Sequence, residues 1–492
     1  MLRSALFAAV SALSLSLTSA LETFDRKLIF QPPSNYTDPR VLYPRTVQLT
    51  DGRLLAIWEN YSPEPPLVWH PIYESTDGGL SWGEVGRVTD QVNGWGLRYQ
   101  PFLYELRQDF GGFPAGTVLA ASNSIPTDLS QTRIDVYASR DRGRTWEFVS
   151  HVASGGRAIP NNEETPVWEP MIIIYEDELI LYYADQRSAE HGQEISHQTT
   201  KDLRSWSDVV IDISEPRYTD RPGMPYVAKL PKGDYIYAYE WGGADILTPY
   251  TFPLYYRIAA DPRRFADAEP LYINATNRNP VPGGAFPISS PVVVWSPVGG
   301  CHGSIIVSSG SKDLYINTEG GAPDAWLAYT VPEDAAYTRH IRVMEEDPDF
   351  LLIMGAGKLP PSTTNKVTVS MVKISDLLKQ TKMPLIGLPH SPQLPFNMFP
   401  MPTPASHLQS DPMTLPQPTQ WPVPQPESEP SRITADKSQE QARVQTMLEE
   451  LRDVRREVSS LSFKLETGFV NTHALLYNLN AAIANFASQI HR

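Results

Sequence analysis

The sequence contains one cysteine, Cys301, in 492 residues. No intrachain disulfide can form, and zinc sites built from several cysteines are excluded. A lone cysteine of this kind is expected to be a buried, inert core residue. Basic residues are also scarce: 41 Lys and Arg face 56 Asp and Glu, a formal net charge of −15. A phosphate backbone is bound by clustered cations, so no nucleic-acid partner is expected. The same deficit excludes electrostatic docking to anionic membranes, and no run approaches the ~20 apolar residues of a membrane span. Metal-ligand spacings are missing too, so neither a metal nor a cofactor is expected.

The first residues carry an address. Arg3 precedes an apolar run from Ala5 to Leu17, and Thr18-Ser19-Ala20 offers small residues for cleavage. This is the pattern of a signal peptide over residues 1–20, and it predicts a secreted protein. Two sequons, Asn35-Tyr36-Thr37 and Asn274-Ala275-Thr276, fit a secreted glycoprotein. A third, Asn60-Tyr61-Ser62, is weakened by Pro63.

The chain repeats itself. Ser75–Trp82 and Ser139–Trp146 share the pattern S-x-D-x-G-x-[ST]-W; Thr200–Trp206 is the same motif shortened by one residue, and Asp261–Phe265 is a decayed copy. The aspartates are 64, 61 and 59 residues apart. Each motif follows a strand-like run, and its Ser, Asp and Gly suit a tight turn plugged by Trp. This is the Asp-box, or BNR, motif, and it makes Trp82, Trp146 and Trp206 packing residues. Short β-runs lie between the motifs, with almost no helical periodicity before residue 433. A period near 60 residues over 21–383 gives six units. The expected fold is all-β, a six-bladed β-propeller whose ring is closed by Arg26–Phe30 joining the last blade.

Composition changes after Met383. Residues 384–430 hold 14 prolines, so 384–432 reads as an extended linker. In 433–492, Met447, Leu451, Val454, Val458, Leu461 and Leu465 alternate spacings of four and three. Leu476, Leu479, Ile483, Phe486 and Ile490 resume that seam after a stutter. This coiled-coil-like tail either drives self-association or is an amphipathic helix folded back on its own chain.

Propeller geometry indicates which polar residues meet. The first strand of each blade starts at one mouth of the central channel, and the second strand returns to it. The starts at Tyr43-Pro44-Arg45, Val167-Trp168-Glu169-Pro170, Arg221-Pro222 and Tyr337-Thr338-Arg339, with the returns to Glu59, Asp185 and Glu240-Trp241, define that mouth. It gathers Arg45, Glu59, Glu169, Asp185, Arg221, Glu240, Tyr337 and Arg339. Trp58, Trp168 and Trp241 stand beside them as candidate platforms for sugar rings. Two carboxylates flanking a pocket are the minimal machinery of glycoside hydrolysis. Glu169 lies among Trp168, Pro166 and Pro170, which favour a raised pKa; Glu240 follows a Tyr-rich run whose hydroxyls could keep it ionised. Taken singly, Glu59, Asp185 and Glu240 could instead form ion pairs with Arg45, Arg221 or Arg339.

With these motifs in place, the stretch from Thr23 to Leu378 resembles the fungal exo-α-1,5-L-arabinanases of glycoside hydrolase family 93, related in fold to the sialidases. The resemblance implies a retaining mechanism with Glu169 as acid/base and Glu240 as nucleophile, assisted by Tyr337. It implies release of arabinobiose from the non-reducing end of linear arabinan, such as the arabinan side chains of pectin in plant cell walls. Arg45, Trp58, Trp168, Asp185, Arg221, Trp241 and Arg339 would bind substrate. Two alternatives stay open. A sialidase would use Tyr337 as nucleophile and an arginine cluster drawn from Arg45, Arg98, Arg221 and Arg339, although its Arg-Ile-Pro start is replaced by Tyr43-Pro44-Arg45-Thr46. A non-catalytic carbohydrate-binding propeller would be made multivalent by the tail.

Overall fold

The computed structural model describes residues 21–380. The leader at 1–20, the linker at 384–432 and the helical tail lie outside the described residues. Within them, 24 strands form six four-stranded antiparallel sheets. Blade one is β2 (Val41–Gln48) to β5 (Gly83–Val88), with β3 (Leu54–Asn60) and β4 (His70–Ser75) between. Blade two runs β6 (Leu97–Glu105), β7 (Val118–Ser124), β8 (Thr132–Ser139) and β9 (Glu147–Gly155). Blade three runs β10 (Val167–Tyr175), β11 (Glu178–Asp185), β12 (Glu194–Thr200) and β13 (Val210–Ile213). Blade four runs β14 (Arg221–Lys229), β15 (Tyr235–Gly242), β16 (Leu254–Ala259) and β17 (Leu271–Tyr272). Blade five runs β18 (Val292–Ser296), β19 (Ser304–Ser308), β20 (Asp313–Asn317) and β21 (Trp326–Thr330). Blade six joins β22 (His340–Val343), β23 (Phe350–Gly355) and β24 (Val367–Lys373) to β1 (Phe24–Phe30). The N-terminal strand thus closes the ring against the C-terminal one, with Phe24 opposite Met371. One short helix, α1 (Ile374–Lys379), follows the last blade.

The repeated turns explain the period. Asp77 accepts hydrogen bonds from the Ser75 and Ser81 hydroxyls and the Ser81 N–H, while the Ser75 hydroxyl accepts from the Gly79 N–H. Trp82 Nε1 closes the turn on the Gly79 carbonyl at 2.9 Å. The second copy repeats this network bond for bond around Asp141, down to Trp146 Nε1 on the Gly143 carbonyl. In the third, Leu203 takes the left-handed place of glycine at φ 62°, and Trp206 turns its Nε1 to Ser150. Blade five carries a further copy outside that sequence pattern: Asn317 accepts the N–H groups of Glu319 and Gly321. Asn replaces the Ser, and no Ser/Thr-Trp pair ends the motif, yet the turn survives. Cys301 departs from expectation: it is exposed, in the β18–β19 loop beside Gly299 and Gly300.

The channel is plugged below the mouth. Tyr43 of blade one reaches across to Met224 of blade four, hydroxyl to sulfur at 4.0 Å. Deeper, His340 is hydrogen-bonded to both Tyr226 and Thr46, each at 3.0 Å. A cavity of about 370 Å³ lies beyond the plug, lined by one or more inner-strand residues of every blade, including Val47, Leu103, Ile172, Val227, Val294 and Ile341. It opens away from the mouth and holds none of the candidate acids.

Candidate active site

Each inner strand begins with the same irregularity. Tyr43, Gln100, Glu169, Met224, Ser290 and Thr338 all have left-handed backbones, with φ of 53°, 55°, 63°, 58°, 58° and 55°. In blades one to four the pairing register slips at this residue, a β-bulge. Five of the six precede a proline: Pro44, Pro101, Pro170, Pro225 and Pro291. This X-Pro recurrence marks the mouth in five blades and belongs to none of the motifs named above. Proline has no N–H to give the ladder, and the bulge takes the preceding N–H out of it as well.

Those displaced N–H groups position the acids. Gln100 donates to Glu59 Oε1 at 3.0 Å, and Glu169 donates to the Gln100 side-chain carbonyl at 3.0 Å. Met224 donates to Glu169 Oε2 at 2.6 Å, and Ser290 to Glu240 Oε2 at 2.8 Å. Every bond runs from one blade to the next, so neighbouring backbones fix the carboxyl groups. Tyr61 adds its hydroxyl to Glu59 at 2.7 Å. Gly223 leaves room for this arrangement: a Cβ there would sit 2.5 Å from Gln193 Nε2, which would have to move off the Pro222 carbonyl, and 3.5 Å from Glu169 Oε2.

Glu169, Glu240, Glu59, Arg45, Arg221 and Tyr337 are linked electrostatically at this mouth. None of the three glutamates makes an ion pair within 4.0 Å among the described residues. Burial pushes Glu169 up to about 8, reinforced by the neighbouring Glu240 charge and opposed by the Met224 N–H. Burial lifts Glu240 to about 7, opposed by Ser290, Ser289 and Arg221. Glu59 also rises to about 7 through burial. Arg221 donates to the side-chain carbonyls of Asn162, Gln186 and Gln193, at 2.6, 3.0 and 2.7 Å. These partners are neutral, so its charge remains available to the acids. Arg45 lies 4.0 Å from the Tyr43 ring centroid and donates to the carbonyls of Pro44 and Thr338. Burial and the two catalytic-candidate carboxylates hold the Tyr337 hydroxyl protonated, its pKa well above the ordinary tyrosine range.

Five expectations are corrected. Trp58 is fully buried, packed on Tyr73 and Phe30 between blades one and six. Side chains alternate along β3, so the strand that aims Glu59 at the mouth turns Trp58 away. Trp168 alternates with Glu169 in the same way: it is 6% exposed, bonded to Gln186 and packed with Ile125 and Ala184. It is a wall, not a platform. Asp185 is gripped through both oxygens by Arg187. Arg339 is fully buried, donating to the carbonyls of Lys312, Asp313 and Glu333. Trp241 is half-buried beside Glu240, with Nε1 on Asp220 and its ring 4.8 Å from that of Tyr255. The Tyr-rich run does not serve Glu240: Tyr235, Tyr237 and Tyr239 share the opposite face of β15 and are buried in the core. Ser289 and Ser290, in the next blade, do that work instead.

The three mouth acids with raised pKa values make folding pH-dependent, and Glu215, which burial also lifts to about 7, adds to them. Between their ordinary and folded values the native state holds more protons than the unfolded chain, so stability falls as pH rises. The buried His70 and His340, held neutral by burial, act in the opposite sense but only below about pH 6.5. From pH 6.5 to 8.5 the acids act alone. The melting temperature should drop across that window, at about 1.4 kcal/mol per pH unit for each retained proton, and Glu169→Gln should flatten the drop. An equally steep slope in that variant would refute the account.

No family model matches the chain, and no curated protein does. Solved structures do. The α-L-arabinofuranosidase of Fusarium graminearum, a glycoside hydrolase family 93 protein crystallised with arabinobiose, is 52% identical over 72% of this chain and 99% of its own, with a TM-score of 0.70. The α-L-arabinanase of Penicillium chrysogenum, also with arabinobiose, is 50% identical over 73% of this chain and 100% of its own, TM-score 0.70. A variant of the Fusarium protein holding an iminosugar inhibitor matches at 51% identity, over 72% and 99% of the two chains, TM-score 0.70.

Proposed function

The chain belongs to glycoside hydrolase family 93, and on that premise we propose that it is a secreted exo-hydrolase releasing arabinobiose from the non-reducing end of α-1,5-linked L-arabinan. The observation that carries this reading is the pair Glu169 and Glu240, brought to one mouth by the inner-strand bulge and the second-strand return, the first buried and the second half-buried, and both without ionic partners among the described residues. Two family members hold arabinobiose, which supports the substrate. A mouth plugged by Tyr43 and Met224 admits a chain end and does not let it thread through, which supports exo action.

The roles follow from the proton order. Repulsion keeps the pair from ionising together, so the first proton leaves the group better supplied with hydrogen-bond donors and positive charge. Glu240, facing Ser290, Ser289 and Arg221, ionises first and serves as nucleophile. Glu169 keeps its proton and gives it to the departing oxygen. Water then attacks the glycosyl-enzyme as Glu169, now the base, takes its proton, giving net retention. Tyr337 stays a neutral hydroxyl that can polarise Glu240. The sialidase alternative loses ground on geometry. Arg339 is tied to backbone carbonyls, Arg98 is held by both oxygens of Glu64, and two carboxylates oppose a Tyr337 phenolate. The purified protein should release arabinobiose from linear arabinan and nothing from sialyl-lactose. Sialic acid release, or no product from arabinan, would overturn the assignment.

A further inference from the structure

Blade two carries a groove of about 450 Å³ on the same face as the catalytic mouth. Topology fixes the face: the chain enters β6 from residues 89–96 and leaves β7 into 125–131, and both strand ends lie at the mouth. Trp95 lines the groove with Thr127, Asp128, Ser130 and Gln131. Trp95 is half-buried and belongs to none of the hydrophobic clusters among the described residues, nor to any repeated turn. The fold has not used it for packing.

Its position is nevertheless fixed. The Asp90 carboxylate accepts the N–H groups of Val92, Asn93, Trp95 and Gly96 at 3.0, 2.9, 2.7 and 3.0 Å. The Arg133 guanidinium lies 4.9 Å from the indole centroid and is itself held by Asn93 and Ser154. A rigid indole costs little entropy on binding and offers an apolar face to the C–H groups of a sugar. Short polar side chains around it can bond hydroxyls, the make-up of a small-ligand site. The loop that forms the groove also reaches the mouth: Ile125 and Leu129 pack in one cluster with Trp168, the neighbour of Glu169.

We infer that this groove is a second carbohydrate site, which holds arabinofuranosyl units of the polymer away from the bond being cleaved. The inference rests on the arabinan reading above. Trp95→Ala and Trp95→Phe should be compared with the wild type on linear arabinan and on arabinotriose. Trp95→Ala should raise KM on the polymer roughly fivefold or more, the loss of one aromatic contact of about 1 kcal/mol. Its kcat, and both constants on arabinotriose, should stay within about twofold, and Trp95→Phe should recover most of the polymer KM. An unchanged polymer KM, or an equal rise on both substrates, would overturn the inference. Affinity electrophoresis in gels containing arabinan separates it from the catalytic reading. Retardation of the wild type and not of Trp95→Ala supports the groove even if no arabinan is cleaved, whereas equal migration of the two counts against it.

Discussion

Glu240→Ala should lose on the order of 10⁶ in kcat on arabinan, the scale seen when a nucleophile is removed, and azide should restore part of the turnover. The side chain that vanishes is half-buried, and its Oε2 is held by the Ser290 N–H. Removing it leaves a small cavity bordered by that donor, by Ser289 and by the Arg221 charge, a site suited to a small anion. Azide entering there attacks the anomeric carbon from the nucleophile's side, so the product is an arabinosyl azide of inverted configuration. The arabinosyl–oxygen bond breaks as the carbon–nitrogen bond forms, and Glu169 supplies the leaving group's proton. An inverting enzyme would place a base at this position and water between base and sugar. NMR of the product decides: absence of any azide adduct, with activity otherwise lost, would exclude Glu240 as nucleophile.

The propeller was legible because its signals are local and repeated. A Ser, an Asp, a Gly and a Trp within eight residues specify one turn, and copies about 60 residues apart set the blade length. The mouth was legible for a topological reason: strand starts and strand returns must meet there, which located Glu169, Glu240, Glu59, Arg45, Arg221 and Tyr337 without any contact information. What failed was side-chain direction. Trp58 and Trp168 each adjoin a mouth glutamate in sequence, and adjacency in a strand means opposite faces. Arg339 failed for a related reason. It stands where five blades have proline, and its long side chain turns back to the carbonyls of blades five and six. The groups that hold the acids, the backbone N–H groups of Gln100, Met224 and Ser290 and the Ser289 hydroxyl, carry no charge and match no motif. Only the recurrence of a left-handed residue before proline points to them, and it becomes readable once the blade period is used to align the six strand starts.

The bulge ring also explains why the acids differ, and this sets the last expectation. Glu169 is itself a bulge residue: its carboxylate accepts the Met224 N–H at 2.6 Å while its own N–H goes to Gln100. It is therefore held at two points, rigid and desolvated, and its proton is retained to about pH 8. A group held this way is fitted to deliver a proton along one direction. Glu169→Ala should then slow the cleavage of arabinan, whose leaving group is an alcohol, by about 10³-fold or more. It should slow glycosylation by an activated aryl arabinobioside far less, since a nitrophenolate departs without a proton. With such a substrate the second step becomes limiting, because the base for water has also gone, and a burst of nitrophenol should precede slow turnover. The alkaline limb of the pH profile, set by Glu169 in the wild type, should vanish for the aryl substrate. Equal losses on both substrates would mean that Glu169 does not protonate the leaving oxygen. Burst kinetics in Glu240→Ala instead would exchange the two roles.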